Sequence, residues 1–489
     1  MDPSMTEQVI CDPEVPVTSW RLRWGQPGGG AELIRLAWPL ILSNGFNTLQ
    51  ITIDRVFLSW LDSDAVAAAM PAVMIFWTLF ALPQNTANYV TTFVAQYLGA
   101  ERPHRVGAVV WQALYFSLVV GVAFLALWPL AEPLMALGQH APAIQAMEVT
   151  FFRCLLFAAL PALLTATASG FLAGRGDTGK VLLVNAVGLA VTALLDYAWI
   201  FGNWGFPRLG MAGAGWATVV GACVSAASGL AFVFGASNRK IHATLAGWRF
   251  DAALFRRLMR FGLPSGLQWA LDALAFSLFV ILVGRLGDAE LAATSIAVTL
   301  NMFCFLPTMG IAQAVAILVG RRLGEDRPDL AERSTWSGFR LGWLLMAAVA
   351  ILYVAFPHTL LAVFAADTAP DKWAPVAEMV PILLRFVALY SLFDSMTLIF
   401  SFALRGAGDT RFVTIAALGL SWPLMVVPTW AAWRFEWGVY WAWTFASLYI
   451  IALAFVLLAR FRGGRWKSMR VIDAGSPELE SRGVAGGHA

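Results

Sequence analysis

Leu98-Gly99-Ala100-Glu101-Arg102-Pro103 returns 225 residues later as Leu323-Gly324-Glu325-Asp326-Arg327-Pro328. The same offset separates Pro39 from Pro264 and Ala67-Ala68 from Ala292-Ala293. Farther on, Arg153 and Arg385 stand 232 residues apart, as do Gly176-Asp177-Thr178 and Gly408-Asp409-Thr410, so the second copy carries a short insertion. Five markers in one order make the chain a duplication. In a strongly apolar chain, two related halves point to a carrier with a pathway between two lobes.

Composition excludes a soluble protein. Hydrophobic residues make up 59% of the 489 and charged residues 13%, with a mean hydropathy of +0.70. Such a chain cannot cover a globular surface with polar groups, so lipid is its solvent. The four cysteines, Cys11, Cys154, Cys223 and Cys304, are scattered and read as small buried apolar residues, with neither disulfide nor zinc spacing. Residues 1–30 are polar and rich in Pro and Gly, and the first apolar run begins near Leu33, so no cleaved signal is expected.

Apolar runs of spanning length, about 20 residues each, fall at 32–60, 66–98, 107–137, 143–172, 181–202, 211–235, 257–286, 291–320, 333–357, 377–403, 412–433 and 437–461. The expected fold is therefore all-α, with 12 transmembrane helices in two pseudo-symmetric six-helix lobes. Its segments are a tail (1–31), a first lobe (32–235), a polar linker (236–256), a second lobe (257–462) and a C-terminal tail (463–489). An even number of spans per half inserts both halves in the same orientation, related by an axis along the membrane normal. Charge tests the assignment. Of the 33 basic residues, only Arg208, Arg285, Lys372 and Arg434 fall in outer segments, and Arg55, Arg153 and Arg385 within spans; the other 26 lie at inner ends. The positive-inside rule thus places both termini and the linker in the cytoplasm. Trp430, Trp433, Trp437, Trp441 and Trp443 read as an interfacial belt. The tail from Gly463 reads as unstructured, near anionic headgroups.

Four acids sit well inside spans: Asp54, Asp196, Asp272 and Asp394. A carboxylate at mid-bilayer costs a few kcal/mol, so such residues face a cavity or a partner and mark ion pathways. Asn47, Gln50 and Asp54 share one helix face, and Asn85, Asn88, Thr92 and Gln96 form a comparable stripe on the next span. A polar stripe either glues helices together or lines water; with a carboxylate at its end, water-lining is the reading. Counting 1.5 Å per residue from the inner ends puts Asp54 and Asp196 in the outer half of the first lobe. Asp272 and Asp394 come out nearer mid-depth in the second, so each lobe is expected to hold a carboxylate pair. Paired acids in a dry site take up a proton near neutral pH or, with added oxygen ligands, hold Na⁺. Arg153 and Arg385 read as structural ion pairs, with Glu148 and Glu378 on the same spans. Pro39, Pro161, Pro264 and Pro307 interrupt spans and are candidate bends. Gly174-Arg175-Gly176-Asp177-Thr178 reads as a tight inner turn. No nucleotide-binding loop, metalloprotease motif or mid-span histidine appears, and no enzyme or nucleic-acid partner is indicated.

The chain from about 32 to 462 resembles the multidrug and toxin extrusion (MATE) transporters. The resemblance rests on several stretches. They are Trp38-Pro39 and Ile53-Asp54; Val94-Ala95-Gln96-Tyr97-Leu98-Gly99-Ala100; Leu195-Asp196-Tyr197 with Ile200-Phe201-Gly202; Leu209-Gly210-Met211-Ala212-Gly213-Ala214-Gly215-Trp216; Gly262-Leu263-Pro264; and Leu404-Arg405-Gly406-Ala407-Gly408-Asp409-Thr410. The order and spacing of these pieces are specific, although no one of them is. The resemblance implies a V-shaped pair of six-helix lobes and a cation-coupled antiporter in the bacterial inner membrane. Such a protein exports organic cations or drugs by alternating access, with H⁺ or Na⁺ as its coupling ion and no resident cofactor. Asp54 matches the family's first-helix aspartate, and Asp196 a fifth-helix aspartate of the DinF-like branch. Asp272 stands where NorM-like members carry a glutamate, and Asp394 matches their tenth-helix aspartate. Thr192 stands where the DinF-like branch has asparagine.

The expected cation-coupling residues are thus Asp54, Asp196, Asp272 and Asp394, with Na⁺ at Asp272 and Asp394 as the alternative to H⁺. The expected substrate pathway is lined by Asn47, Gln50, Asn85, Asn88, Thr92, Thr192, Gln268 and Asn301. Protonation of Asp54 and Asp196 would let polar helix faces close together, whereas a cationic substrate prefers the free carboxylates. A single chain contains the complete pathway, so a monomer suffices. The rivals are a lipid-linked oligosaccharide flippase, which wants a basic cavity, a major-facilitator carrier, whose basic motif is missing, a narrow-substrate metabolite exporter, a membrane-embedded enzyme and a channel.

Overall fold

The computed structural model describes residues 24–136, 138–362, 364 and 370–473. Every regular element among them is helical, as a bilayer demands of a chain that must satisfy its own backbone groups. In the first half α1 (Gly30–Leu61) is followed by α2 (Ser63–Asn88) and α3 (Val90–Gly99), which form one span broken at Tyr89. Then come α4 (His104–Leu125), short α5 (Ala131–Ala136), α6 (Pro142–Gly174), α7 (Thr178–Phe201) and α8 (Met211–Val233). Short α9 (Ala236–Ile241) lies in the linker. The second half repeats the order: α10 (Ala252–Gly284), α11 (Asp288–Gly324), α12 (Pro328–Ala355), short α13 (Pro357–Ala362) and α14 (Pro370–Ala407). It closes with α15 (Thr410–Ser421), a π turn at Trp422–Val426, α16 (Val427–Arg434) and α17 (Val439–Arg462).

Eleven helices among the described residues are long and apolar enough to span a membrane. The twelfth expected span, α1, has 32 residues but is diluted by Asn44, Asn47, Thr48, Gln50, Thr52, Asp54 and Arg55. The four prolines expected to interrupt spans all lie inside continuous helices; the break falls at Tyr89 instead.

The repeat extends to the backbone. Glu101 and Asp326 both adopt positive φ, 56° and 54°, and so do Gly176 and Gly408. Arg102 N–H donates to Tyr97 O at 2.9 Å and Arg327 N–H to Arg322 O at 2.8 Å, the same wrap-around at both helix ends. These two ends cross each other. A Cβ on Gly99 would lie 2.0 Å from Arg321 O, and one on Gly324 would lie 2.2 Å from Gln96 O. The reciprocity, 99 on 321 and 324 on 96, marks the pseudo-two-fold axis.

From that crossing the halves join and then separate. One hydrophobic core draws on both, from Leu33, Phe93 and Phe171 to Leu318, Phe400 and Phe461. The other two cores draw their buried residues from one half each, between Leu58 and Ala214 and between Ala275 and Trp443, with only Phe255 and Met259 of α10 packing against the first from the other half. Below, the lobes share an interior; above, each has its own. That is a V, open at the end that holds the expected outer loops.

Three sequence expectations change. Residues 465–473 are folded against the seam: Trp466 stacks on Phe461 at 4.7 Å, Val471 N–H donates to Gln96 Oε1 at 2.8 Å, and Tyr97 donates to Asp473 at 3.0 Å. The rest of that tail lies outside the described residues. Trp443 is 2% exposed and donates to Thr294, so it is a core residue while Trp430, Trp437 and Trp441 are exposed. Cys223 faces out of the bundle although Cys154 and Cys304 are buried, and Cys11 lies outside the described residues. The linker is bolted to α4 through Gly107 N–H to His242 O, 2.9 Å, and Trp111 Nε1 to Thr244 O, 2.6 Å. Burial and the nearby Arg175 charge together hold the His242 imidazole below its usual pKa.

Two predictions follow from the seam and its strap. Gly99→Ala forces two backbones apart and costs on the order of 1–3 kcal/mol by overpacking. Gly419→Ala, with open space around its Cα, is expected to be neutral or slightly stabilising; thermal unfolding in detergent separates them. At the strap, burial opposes the Asp473 charge. Its own N–H, the Tyr97 hydroxyl, Arg105 and Arg257 outweigh that and hold the carboxyl below the usual range. A depressed carboxyl contributes stability above its unfolded pKa and loses it as pH falls through the folded value. The group is over a third exposed, so the clamp is worth about 1 kcal/mol or less. A nitroxide on Ser468→Cys should stay immobile from neutral pH down to about pH 4 and gain mobility below it. Asp473→Asn should show that added mobility already at pH 7.

Candidate functional site

Two parallel helices bring the first pair of acids together. On α1, Ser43, Asn47, Gln50 and Asp54 follow one face, and on α7 Asn185, Thr192 and Asp196 do the same. The stripes run in register: Asn185 Nδ2 donates to Ser43 Oγ, and eleven residues on, the Asp54 and Asp196 carboxyls are within hydrogen-bonding reach of each other. Asp196 is 0% exposed. No N–H or O–H among the described residues reaches either of its oxygens, nor Asp54 Oδ1. A hydrogen bond between two carboxyl groups requires a proton on one of them. The pair is therefore satisfied only when it holds at least one proton, and a second would discharge it.

The second pair is built differently. Gln268 Nε2 donates to Asp272 Oδ2 at 3.3 Å, and Arg405 donates to Gln268 Oε1 at 2.5 Å. Arg405 is 7% exposed, flanked by Trp269 and Phe402, while Tyr89 donates to its carbonyl at 2.7 Å. Asp394 does not join Asp272; Tyr449 lies within electrostatic reach of both, and Tyr390 beside Asp394. The second lobe thus holds two separate carboxyls and a cation, where two paired carboxyls were expected. No cluster of three or more His, Cys, Asp or Glu able to hold a metal exists among the described residues, and the guanidinium stands near where Na⁺ would approach Asp272.

The expected pathway residues divide. Asn47 and Asn88 are exposed on their helices, and Gln50 is half-buried. Asn85 turns back to Ala81 O at 2.9 Å. Thr92 and Gln96 are buried in the seam, where Gln96 donates to Gly406 O at 3.0 Å; the inner end of that stripe is glue. Thr192 is 1% exposed and packs its hydroxyl against Gly221 of α8. Gln268 is 5% exposed and bridges Arg405 to Asp272. Asn301 Oδ1 is buried with no donor, an acceptor left for water or a ligand.

Sequence reasoning missed Arg405, Asn185 and Ser43. Asn185 and Ser43 were legible as i, i+7, i+11 continuations of the stripes; Arg405 was counted as an inner-end charge. The ion pairs on α6 also rearrange: Arg153 bonds Glu132 at 2.9 Å, while Glu148 bonds His140 at 2.7 Å.

A family model described as MatE matches residues 39–198 and 264–430, two blocks with the symmetry of the repeat. A Brucella suis biovar 1 protein, a probable multidrug resistance protein NorM, is 30% identical over 430 residues, covering 87% of this chain and 90% of its own. The multidrug resistance protein NorM of Burkholderia vietnamiensis is 27% identical over 384 residues, 78% of this chain and 82% of its own. Among solved structures, an outward-facing multidrug resistance MATE transporter of the MOP superfamily superposes with a TM-score of 0.81 at 20% identity, covering 92% of this chain and 98% of that one. A MOP superfamily transporter from Pyrococcus furiosus superposes equally well at 19% identity, covering 92% and 98%. These superpositions speak to the fold.

Removing the buried guanidinium leaves Gln268 and Asp272 uncompensated. Arg405→Met is expected to cost on the order of 2 kcal/mol, and Asp272→Asn in the same chain to recover part of it. Strict additivity of the two changes in thermal unfolding would mean that Asp272 does not feel Arg405.

Proposed function

Because the chain belongs to the MatE family of multidrug and toxin extrusion transporters, we propose that it is a proton-coupled antiporter. It exports small organic cations from the cytoplasm across the plasma membrane of a bacterium. The observation that carries the reading is the contact between Asp54 and Asp196. A dry carboxyl pair with no other donor is a proton site first. Sodium would require further oxygen ligands around it, and no group of three or more His, Cys, Asp or Glu that could hold a metal lies there among the described residues. A cationic substrate in the V competes with that proton for the same charge. Asp272 is a weaker competitor because Gln268, itself held by Arg405, already bonds it.

Orientation follows from charge. With both termini cytoplasmic, the joined end of the V lies inside and the open end faces out, an outward-open state. The relatives' printed names support drug efflux as the class of task. The single chain contains both lobes and the space between them, so one copy suffices.

The test is uptake of a fluorescent organic cation into everted membrane vesicles under imposed gradients. Uptake should follow an acid-inside H⁺ gradient, ignore Na⁺, and fail in Asp54→Asn and Asp196→Asn. Full gradient-driven uptake by Asp54→Asn would remove the first lobe as the coupling site. Sodium-driven uptake lost in Asp272→Asn would move coupling to the second lobe. No gradient-driven movement by correctly inserted protein would favour a narrow-substrate exporter or a lipid-linked oligosaccharide flippase.

A further inference from the structure

The two repeat-related arginines have different surroundings. In the first half, Arg153 stacks over Trp128 at 5.0 Å and bonds Glu132 of α5 at 2.9 Å. In the second half α13 takes the place of α5, and both are six residues long. Matching these helices residue by residue puts His358 at the place of Glu132 and Val354 at that of Trp128. The acid and the ring are both gone. Arg385 is exposed on α14, and no ion pair, hydrogen bond or ring contact holds it among the described residues. Where the indole would have stood there is a groove of about 550 Å³ between α12 and α14, lined by Trp343, Ala350, Ile351, Val354 and Leu389, with Arg385 its only charge.

The depth of that charge is fixed by the helix. Arg385 and Arg405 lie on one helix 20 residues apart, about 30 Å at 1.5 Å per residue, the thickness of the hydrocarbon core. Arg405 sits at the joined end, so Arg385 sits at the opposite boundary, level with lipid phosphates. From there α12 descends from Ala355 to Trp343, 12 residues or about 18 Å, the length of an acyl chain.

We propose that this groove is a binding site for a phospholipid of the leaflet at the open end of the V. Its phosphodiester sits on the Arg385 guanidinium, and one acyl chain runs down the groove over Val354, Ile351 and Trp343. A guanidinium matches two phosphate oxygens at once, and the lipid supplies the anion that Glu132 supplies in the other half. A lipid with net negative charge is preferred over a zwitterionic one, whose own cation competes. The proposal is independent of the coupling ion and of the exported compound; only the name of the leaflet rests on the orientation given above.

Native mass spectrometry of the full-length protein in detergent, titrated with phosphatidylglycerol, tests it. Wild type should retain one phosphatidylglycerol under activation that strips all others. Arg385→Gln should weaken that retention about tenfold, the equivalent of about 1.4 kcal/mol. Val354→Trp, which restores the ring while keeping the charge, should weaken it likewise. Arg153→Gln should leave it unchanged, as should millimolar inorganic phosphate. Melting temperatures of the variants without added lipid establish that each is folded. Retention by Arg385→Gln and Val354→Trp equal to wild type overturns the site. So does displacement of the lipid by inorganic phosphate alone, which would mean that the groove contributes nothing.

Discussion

The architecture depends on two backbones crossing without side chains between them. Gly99 and Gly324 let the ends of α3 and α11 approach until each helix touches the other's carbonyl, Arg321 O and Gln96 O. Helices that close exchange dispersion contacts along their whole inner turns, and small residues are what bring them there in a membrane. Around this crossing the remaining inter-lobe contacts are specific: Gln96 to Gly406 O, Tyr89 to Arg405 O, and Arg322 to Glu32 at 2.7 Å. The strap at 465–473 closes over the same place and reaches both lobes, through Gln96 and Tyr97 on one side and Asp326 on the other. Farther along, Gly266 against Leu82 O and Gly310 against Ile41 repeat the close approach, and past them the lobes keep separate cores.

A backbone with two-fold symmetry carries charges without it. The first lobe places two carboxyls against each other in its own core; the second sets one carboxyl beside a guanidinium and another near two tyrosines. Duplication sets the frame and then side chains depart position by position, as Glu132 and His358 show at the rim. Function belongs to these departures, since a site equal in both lobes would give an ion no reason to favour one arrangement over the other.

The frame was legible in the sequence because it is written in periodic, redundant signals. Apolar length and alternating charge gave the same twelve spans, and the repeated turns at 98–103 and 323–328 gave the two halves. Of the expected pathway residues, Gln268 bonds Asp272 while Thr192 packs against Gly221. What escaped was anything decided by a side chain's direction. Arg405 stands three residues from the turn at Gly408, where an arginine normally reaches for water; its stem instead carries the charge inward to Gln268. Gln96 follows the stripe of Asn85 and Asn88, yet its turn of helix is the one that meets the other lobe. Arg153 had an acid on its own helix and took one from α5. Spacing along a helix names the face, and only packing decides what that face meets.

The open end of the V sets the energetic problem of the proposed cycle. Closing it would take the polar positions of α1 that now stand open, Asn47 and Gln50, away from water. A carboxylate carried into that closure costs a few kcal/mol, whereas a protonated pair carries no charge at all. Moving a two-state equilibrium from 1:99 to 99:1 takes about 5.5 kcal/mol, so one or two charges on the pair are of the right size to decide which state dominates. The crossing at Gly99 and Gly324 is the complementary term. Opening the joined end must break the close-packed glycine crossing together with the Gln96, Tyr89 and Arg322–Glu32 contacts around it, none of which involves the Asp54–Asp196 pair. In the proposed cycle coupling needs no wire between lobes: the proton would act at the outer gate, whose cost depends on the charge of the pair.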